Sequence, residues 1–440
     1  MGCLTLYFVH LRLYSYIMIT HIRVASQQLE QPRFESPKEL VSWMGAIQAQ
    51  EYEMAKWAIG IRLRSSSLEK VNEALYKGDI LRTHVMRPTW HFVAAEDIRW
   101  MLMLSSERIK AAVMSYAKGH FGKIEKTLFT RCLDQIGKIL EGYKSLTKQE
   151  VTAELQKSGI LPTIDHVNLF LTWGEVEGIV CSGIDKGKKT TYALLDERVP
   201  PTRELCREEA LARLASRYFQ SHSPAQLQDF VWWSGLTATE CRLAINLIKA
   251  ELMTETFDSR EYFIHQSWKG KNESEPVLRL LPAFDEYLIS YKNRTDVLPL
   301  EHHPKAFNRF GTFYPVILYN GKIIGNWSRS IKKNTIQIEM DFFEKKPRIP
   351  VKLIQQAEAQ IDAFYRGLLY RPALQCREKE FHIRYGLLFR IMKVRIFIEL
   401  IDKLGTMIDH LIHRTVHRKG PVLITIATIF LILASVMVRS

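Results

Sequence analysis

The stretch from 146 to 195 constrains this chain more than any other part of its 440 residues. Thr147 caps a short helix, KQEVTAELQKSG, and a turn at Ile160 to Pro162 follows. Asp165 then opens a second helix, HVNLFLTWGEVEG, and GIVCSGIDKGKKTTYALL supplies two β-like runs around Asp185-Lys186-Gly187-Lys188-Lys189. Helix, turn, helix and basic-tipped hairpin are, in that order, the parts of a winged-helix unit. The hairpin is the wing, and Lys186, Lys188 and Lys189 are placed to face phosphate.

Related patterns flank it. In 205–251 a helix CREEALARLASRYFQ is followed by a second opened at Ser223-Pro224, and Gly235-Leu236-Thr237 turns sharply into TATECRLAINLIKAEL. At 37–50, Leu40, Val41, Met44 and Ile47 form the stripe of a helix that starts at Ser36-Pro37. A helix at 67–77, a strand at 81–93 and a helix at 94–104 complete a third unit. From about 276 apolar and polar residues alternate, with an Asn320-Gly321 type I′ turn signal, and an amphipathic helix closes the region at 350–368. The expected fold is α+β, tandem winged-helix (helix-turn-helix) units followed by a small β-barrel-like domain. The expected divisions are an N-terminal extension 1–21, units at 22–120, 121–200 and 201–270, the β-rich domain 271–370, and a basic tail 371–440.

The formal charge of +14 points to an anionic partner, nucleic acid or a membrane surface. Residues 371–440 hold twelve Lys and Arg against five Asp and Glu, so half of that charge sits in the tail. Pro421 to Val438 is an uncharged apolar run of eighteen residues behind a basic flank, the length of a membrane tail anchor. A gene extended beyond its natural end is the competing explanation. Residues 1–17 are apolar and aromatic without a helical stripe, and Met18 is a plausible start. The six cysteines form no CxxC pair and have no His at zinc spacing, so reduced thiols in a cytosolic protein are expected, with no metal and no cofactor.

Gln48-Ala49-Gln50 stands where an otherwise apolar helix is expected to end. Each amide offers a donor and an acceptor, and two of them can hold a water molecule against a sugar C1′ whose base is already cationic. Spacing alone favours the plainer reading, two polar residues that end a surface helix. Four blocks in order, GAIQAQEYEMAKWAIGIRL, LRTHVMRPTWHFVAAEDIRWML, LLPAFDEYLISYKNR and PVILYNGKIIGNWSR, resemble the winged-helix family that contains the AlkZ-type DNA glycosylases. The resemblance covers most of 22–368.

The resemblance implies a monofunctional DNA glycosylase acting on alkylated purines, including crosslinked ones, with Gln48 and Gln50 directing the water. It also implies a substrate pocket at Arg87, Thr89 and His91, expected to alternate on one strand face. Pro88 and Trp90 depart from the family pattern, which puts substrate preference in doubt. Lys332 and Lys333 join the wing lysines as candidate DNA contacts. Trp173, Trp232 and Trp233 read as core, and Asp285 as architectural. Double-stranded DNA is the expected partner, bound by a monomer in the cytoplasm. A non-catalytic winged-helix regulator is the alternative, favoured if both glutamine amides are buried against backbone.

Overall fold

The computed structural model describes residues 18–369 apart from 122–125, 161–162, 269, 271–274, 333–334 and 346–347. The readings of 1–17, of Lys333 and of 371–440 with its apolar run lie outside the described residues, as does the side chain of Lys332.

The described chain mixes helix and sheet, and it passes three times through the same sequence of elements. After a helix at 18–26 (α1), the first pass comprises α2 (Pro37–Met44), β1 (Ile47–Gln48), α3 (Tyr52–Gly60), α4 (Leu68–Lys77), β2 (Ile80–His84) and β3 (Trp90–Ala94). Its strands pair antiparallel in the order β1-β3-β2. A long helix, α5 (Ile98–Phe121), leads to the second pass: α6 (Lys126–Leu140), β4 (Leu146–Thr147), α7 (Lys148–Lys157), α8 (Ile164–Val176), β5 (Val180–Ser182) and β6 (Thr191–Leu194), again ordered β4-β6-β5. Thr147 closes a capping box with Glu150 at the start of α7, satisfying two main-chain donors that a helix N-terminus leaves open. The short α9 (Leu195–Arg198) precedes the third pass of α10 (Arg207–His222), α11 (Leu227–Ser234), α12 (Ala238–Leu247), β7 (Leu252–Phe257) and β8 (Arg260–His265). Here the first strand shrinks to a bridge between Ala225 and Phe263.

The last region holds β9 (Leu278–Leu281), α13 (Glu286–Ile289), α14 (His303–Ala306), β10 (Val316–Tyr319), β11 (Lys322–Lys332) and β12 (Thr335–Phe342). Its four strands form an open antiparallel sheet ordered β12-β11-β10-β9, which corrects the expectation of a barrel. Closure needs the two edge strands to pair. Instead α15 (Val351–Leu369) packs on both β9 and β12 and then against α4.

This sheet has no core of its own. One apolar cluster runs from Leu40, Trp57 and Val71 of the first pass to Leu280, Ile317 and Phe364, so both regions belong to one compact unit. Trp57 is fully buried and donates its indole N–H to the carbonyl of Leu280 at 2.8 Å. A Cβ on Gly60 would stand 2.4 Å from the Phe364 ring, so only glycine lets α15 close on α3. Truncating a fully buried side chain such as Leu40 to Ala costs about 2–5 kcal/mol.

Two expected elements are cut short. The helix expected to reach residue 50 stops at Met44, because Gly45 adopts φ +76° and its N–H turns back to the Ser42 carbonyl. The expected strand 81–93 is a hairpin, broken by Met86 at φ +64° and by Pro88, which has no N–H to give a ladder.

Candidate active site around Gln48

Because α2 ends early, Gln48 lies on a strand. It pairs with His91, Ile47 pairs with Phe92, and the N–H of Ala49 donates to the Trp90 carbonyl at 2.7 Å. His91 in turn faces Thr83 on β2, so Gln48, His91 and Thr83 form one row across the sheet. The main chain of the motif is held from a second side by Arg82. Its guanidinium donates to the carbonyls of Ala49 at 2.9 Å and Gln50 at 3.4 Å, and lies 4.2 Å from the centre of the Trp90 ring.

The third hold comes from far along the sequence. Glu286, fully buried at the start of α13, accepts the N–H of Gln48 at 2.6 Å. It also accepts the indole N–H of Trp233 at 3.2 Å and the hydroxyl of Ser290, while His222 lies 3.7 Å away. Burial pushes its carboxyl up, but the neighbouring His222, Ser290 and Gln48 groups outweigh burial and hold it down to about 2. The His222 imidazole is fully buried, and burial pushes its pKa down. Asp285 caps α13 and forms a bidentate pair with Arg62, both contacts at 2.8 Å, with both side chains buried. Its role is architectural: it orients the helix turn that presents Glu286.

Gln48 is 4% exposed, and its side-chain carbonyl oxygen accepts from Arg87 at 3.0 Å. Gln50 is exposed. Arg87 and Thr89 do not share a strand face with His91, which corrects the expectation that the three alternate on one strand. They stand in the 85–89 connection between β2 and β3, and only His91 is on β3. The three residues nevertheless converge on Gln48: Arg87 by its hydrogen bond, His91 by register, and Thr89 through its carbonyl, which accepts from His91 Nδ1 at 2.9 Å. Burial and then the Arg87 charge drive the His91 pKa down to about 3, so at neutral pH it is an uncharged imidazole. His91 Nε2, Thr89 Oγ1, Thr83 Oγ1 and Arg87 Nε are buried without a hydrogen-bond partner among the described residues. Burial also lowers the Arg87 pKa.

The β5–β6 hairpin adjoins this site. Tyr52, two residues beyond Gln50, donates its hydroxyl to Asp185 at 2.7 Å. Lys186 is exposed and pairs with both oxygens of Glu150, at 2.9 and 3.0 Å. Lys188 and Lys189 are exposed. Of the tryptophans, Trp233 is fully buried as expected, whereas Trp232 is 36% exposed. Among the described residues no group of three or more His, Cys, Asp and Glu is placed to hold a metal. Glu286, His222 and Arg82 carry no local motif, and their contacts join segments of sequence that periodicity treats separately.

The family model described as DNA glycosylase AlkZ-like matches residues 41–366. A curated relative from Streptomyces sahachiroi, named an interstrand DNA cross-link repair glycosylase, is 22% identical over 354 residues, 77% of this chain and 93% of its own. The solved structure of Streptomyces sahachiroi DNA glycosylase AlkZ shares the fold with a TM-score of 0.65 at 19% identity, covering 80% of this chain and 96% of that one. The chain belongs to the AlkZ-like DNA glycosylase family, whose members are hydrolases of N-glycosyl bonds in DNA.

Proposed function

We propose that this protein releases alkylated purines, including crosslinked ones, from duplex DNA, with Gln48 and Gln50 positioning the attacking water. A base alkylated at N3 or N7 is cationic and leaves readily, so the enzyme has little need of a strong acid. The neutral state of His91 is consistent with that. Water adds through oxygen to C1′, the C1′–N bond breaks with its electron pair returning to the base, and one water proton passes to solvent. The product is an abasic site.

The observation that carries this reading is the fixed Gln48 carboxamide. Its own N–H is held by Glu286, the next residue by the Trp90 carbonyl and by Arg82, and Arg87 occupies one lone pair of its side-chain oxygen. The second lone pair is free to accept from water, and Gln50 at the surface supplies a second amide. An exposed Gln50 also lets a bulky crosslinked adduct approach without being drawn fully out of the stack, unlike a base in a closed flipping pocket. A regulator would be favoured by two amides buried against backbone; Gln48 instead bonds a guanidinium side chain.

The three repeated passes are read as winged-helix units at 22–120, 121–200 and 201–270, with the β-rich domain at 271–370, and Lys188 and Lys189 as wing contacts to phosphate. The strand orders β1-β3-β2 and β4-β6-β5 support this. The protein is taken to act as a cytoplasmic monomer on nucleoid DNA. No helix among the described residues is long and apolar enough to cross a membrane, and removing residues 421–438 and measuring partition into membranes tests that segment. The enzymatic test is incubation of the full chain with duplexes carrying N7-alkylguanine, N3-alkyladenine or an N7-linked crosslink. Strand breaks after alkali are expected; tight binding without base release on every substrate would establish a DNA-binding regulator.

A further inference from the structure

Trp232 is the outward neighbour of buried Trp233 on α11, and its ring is fixed by an indole N–H bond to the Ile289 carbonyl at 2.8 Å. Two cations lie against it. Lys292 Nζ is 4.7 Å from the ring centre, and the Arg294 guanidinium carbon is 5.5 Å away. Arg294 also lies 5.1 Å from the Phe307 ring and 5.0 Å from that of Phe313, and its Nε donates to the Leu288 carbonyl at 2.8 Å.

Neither cation makes an ion pair among the described residues, although most basic side chains of the first pass and its neighbours do. The nearby carboxylate, Asp229, is buried and spent on main-chain donors: Oδ1 takes the N–H of Lys292 at 2.8 Å and of Asn293 at 3.3 Å, and Oδ2 that of Gln226 at 3.0 Å. The group also adjoins the Gln48 motif. The helix carrying Trp232 ends at Gly235, where a Cβ would stand 2.7 Å from the Met86 carbonyl and 3.4 Å from Arg87 Cγ. Burial, opposed in part by the Asp229 carboxylate and assisted by the positive charge of Arg87, holds the Arg294 pKa down to about 10. Cations without an ion-pair partner, beside a fixed aromatic ring and next to a reactive motif, are stabilised by an anion. A guanidinium set among aromatic rings is weakly hydrated and gives up little water to bind one.

We propose that Trp232, Lys292 and Arg294 form a nucleotide subsite beside Gln48, in which the two cations hold the phosphodiester flanking the target base and the exposed part of the indole lies against its sugar. This subsite rests on the reading that the chain acts on DNA at Gln48. It sets the register of the strand, so that the C1′ one step away meets the glutamines.

The test is fluorescence anisotropy of the full chain with labelled duplex, undamaged and carrying N7-methylguanine, across a salt series. Lys292→Gln, at an exposed position, is expected to lower the slope of log Kd against log salt by about one and to weaken binding several-fold on either duplex. Trp232→Leu is expected to weaken binding about tenfold at unchanged slope. Melting temperatures measured alongside identify any loss due to unfolding, and Lys292→Arg is expected to restore the parental slope. Base release on the same preparations separates the two readings. Lowered slope with no base release by the parent would refute the glycosylase reading and leave the subsite standing. Parental slope and affinity in both folded variants would overturn the subsite.

Discussion

The N–H of Gln48 and the carboxylate of Glu286 meet at 2.6 Å, although 238 positions of sequence separate them. The contact joins the strand that bears the glutamine motif to the helix turn after β9. The site is therefore built between the first pass of the chain and its last region.

Removing that carboxylate strands three donors at once. Glu286→Ala is expected to cost about 3–5 kcal/mol, since a buried charged acceptor is lost and Gln48, Trp233 and Ser290 are left unpaired. Glu286→Gln keeps an acceptor for Gln48 and is expected to cost less, while lowering base release because the strand shifts. Melting temperature and single-turnover base release measure the two effects; equal losses in both variants would argue against a directional role for the acceptor.

Arg87 is expected to be irreplaceable by lysine. Its Nη2 reaches the Gln48 oxygen at 3.0 Å from a buried position that a planar, weakly hydrated guanidinium tolerates and an ammonium does not. Arg87→Lys and Arg87→Met should both lower base release by about ten- to a hundredfold, which corresponds to a charge-assisted hydrogen bond of about 1.5–3 kcal/mol. Base release at saturating enzyme, with DNA affinity measured separately, is the readout.

Acid should destabilise the protein in two stages. His91 and His222 have folded pKa values below the ordinary 6.5, so the unfolded chain binds protons first and stability falls as pH drops below about 6.5. Glu286 is held at about 2 against an ordinary 4.5, so its stabilisation is complete above 4.5 and is lost as pH falls toward 2. Denaturant midpoints measured from pH 7 to pH 3 should show both falls, and Glu286→Gln should flatten the lower one. Since His91 stays neutral, base release should show no break from it between pH 6 and 8.

Gly45→Ala probes the turn that places the motif. An alanine at φ +76° is strained by about 1–2 kcal/mol, and its Cβ would approach the Trp233 ring to 3.3 Å. A lower melting temperature with a larger proportional loss of base release is expected, because Trp233 also holds Glu286.

Much of this architecture was legible in local pattern. The Thr147 cap, the apolar face of α8 and the basic tip at 185–189 all act within a few residues, and the second pass was read almost element by element. The errors share one cause. Ile47 continues the stripe of α2 by spacing, yet Gly45 ends the helix and Ile47 finds its partner in Phe92 on another strand. The 81–93 run alternates well enough for a strand, but Met86 and Pro88 fold it into a hairpin whose tip carries Arg87 and Thr89. The four alternating strands of the last region suggested a barrel because nothing local revealed that α15 would cover both of its outer strands. The Gln48 motif itself was visible, whereas Glu286, His222 and Arg82 become part of the site only through tertiary contacts. Asp285 is spent on Arg62 and on the cap of α13; the acid beside it is the one that touches the motif.

The most direct measurement is base release from an N7-alkylguanine duplex by the full chain and by Gln48→Ala and Gln50→Ala, with affinity for the same DNA recorded for each. Loss of release in both variants at parental affinity is expected if the two amides hold the attacking water. Full release by either variant would contradict the assignment of water positioning to the pair.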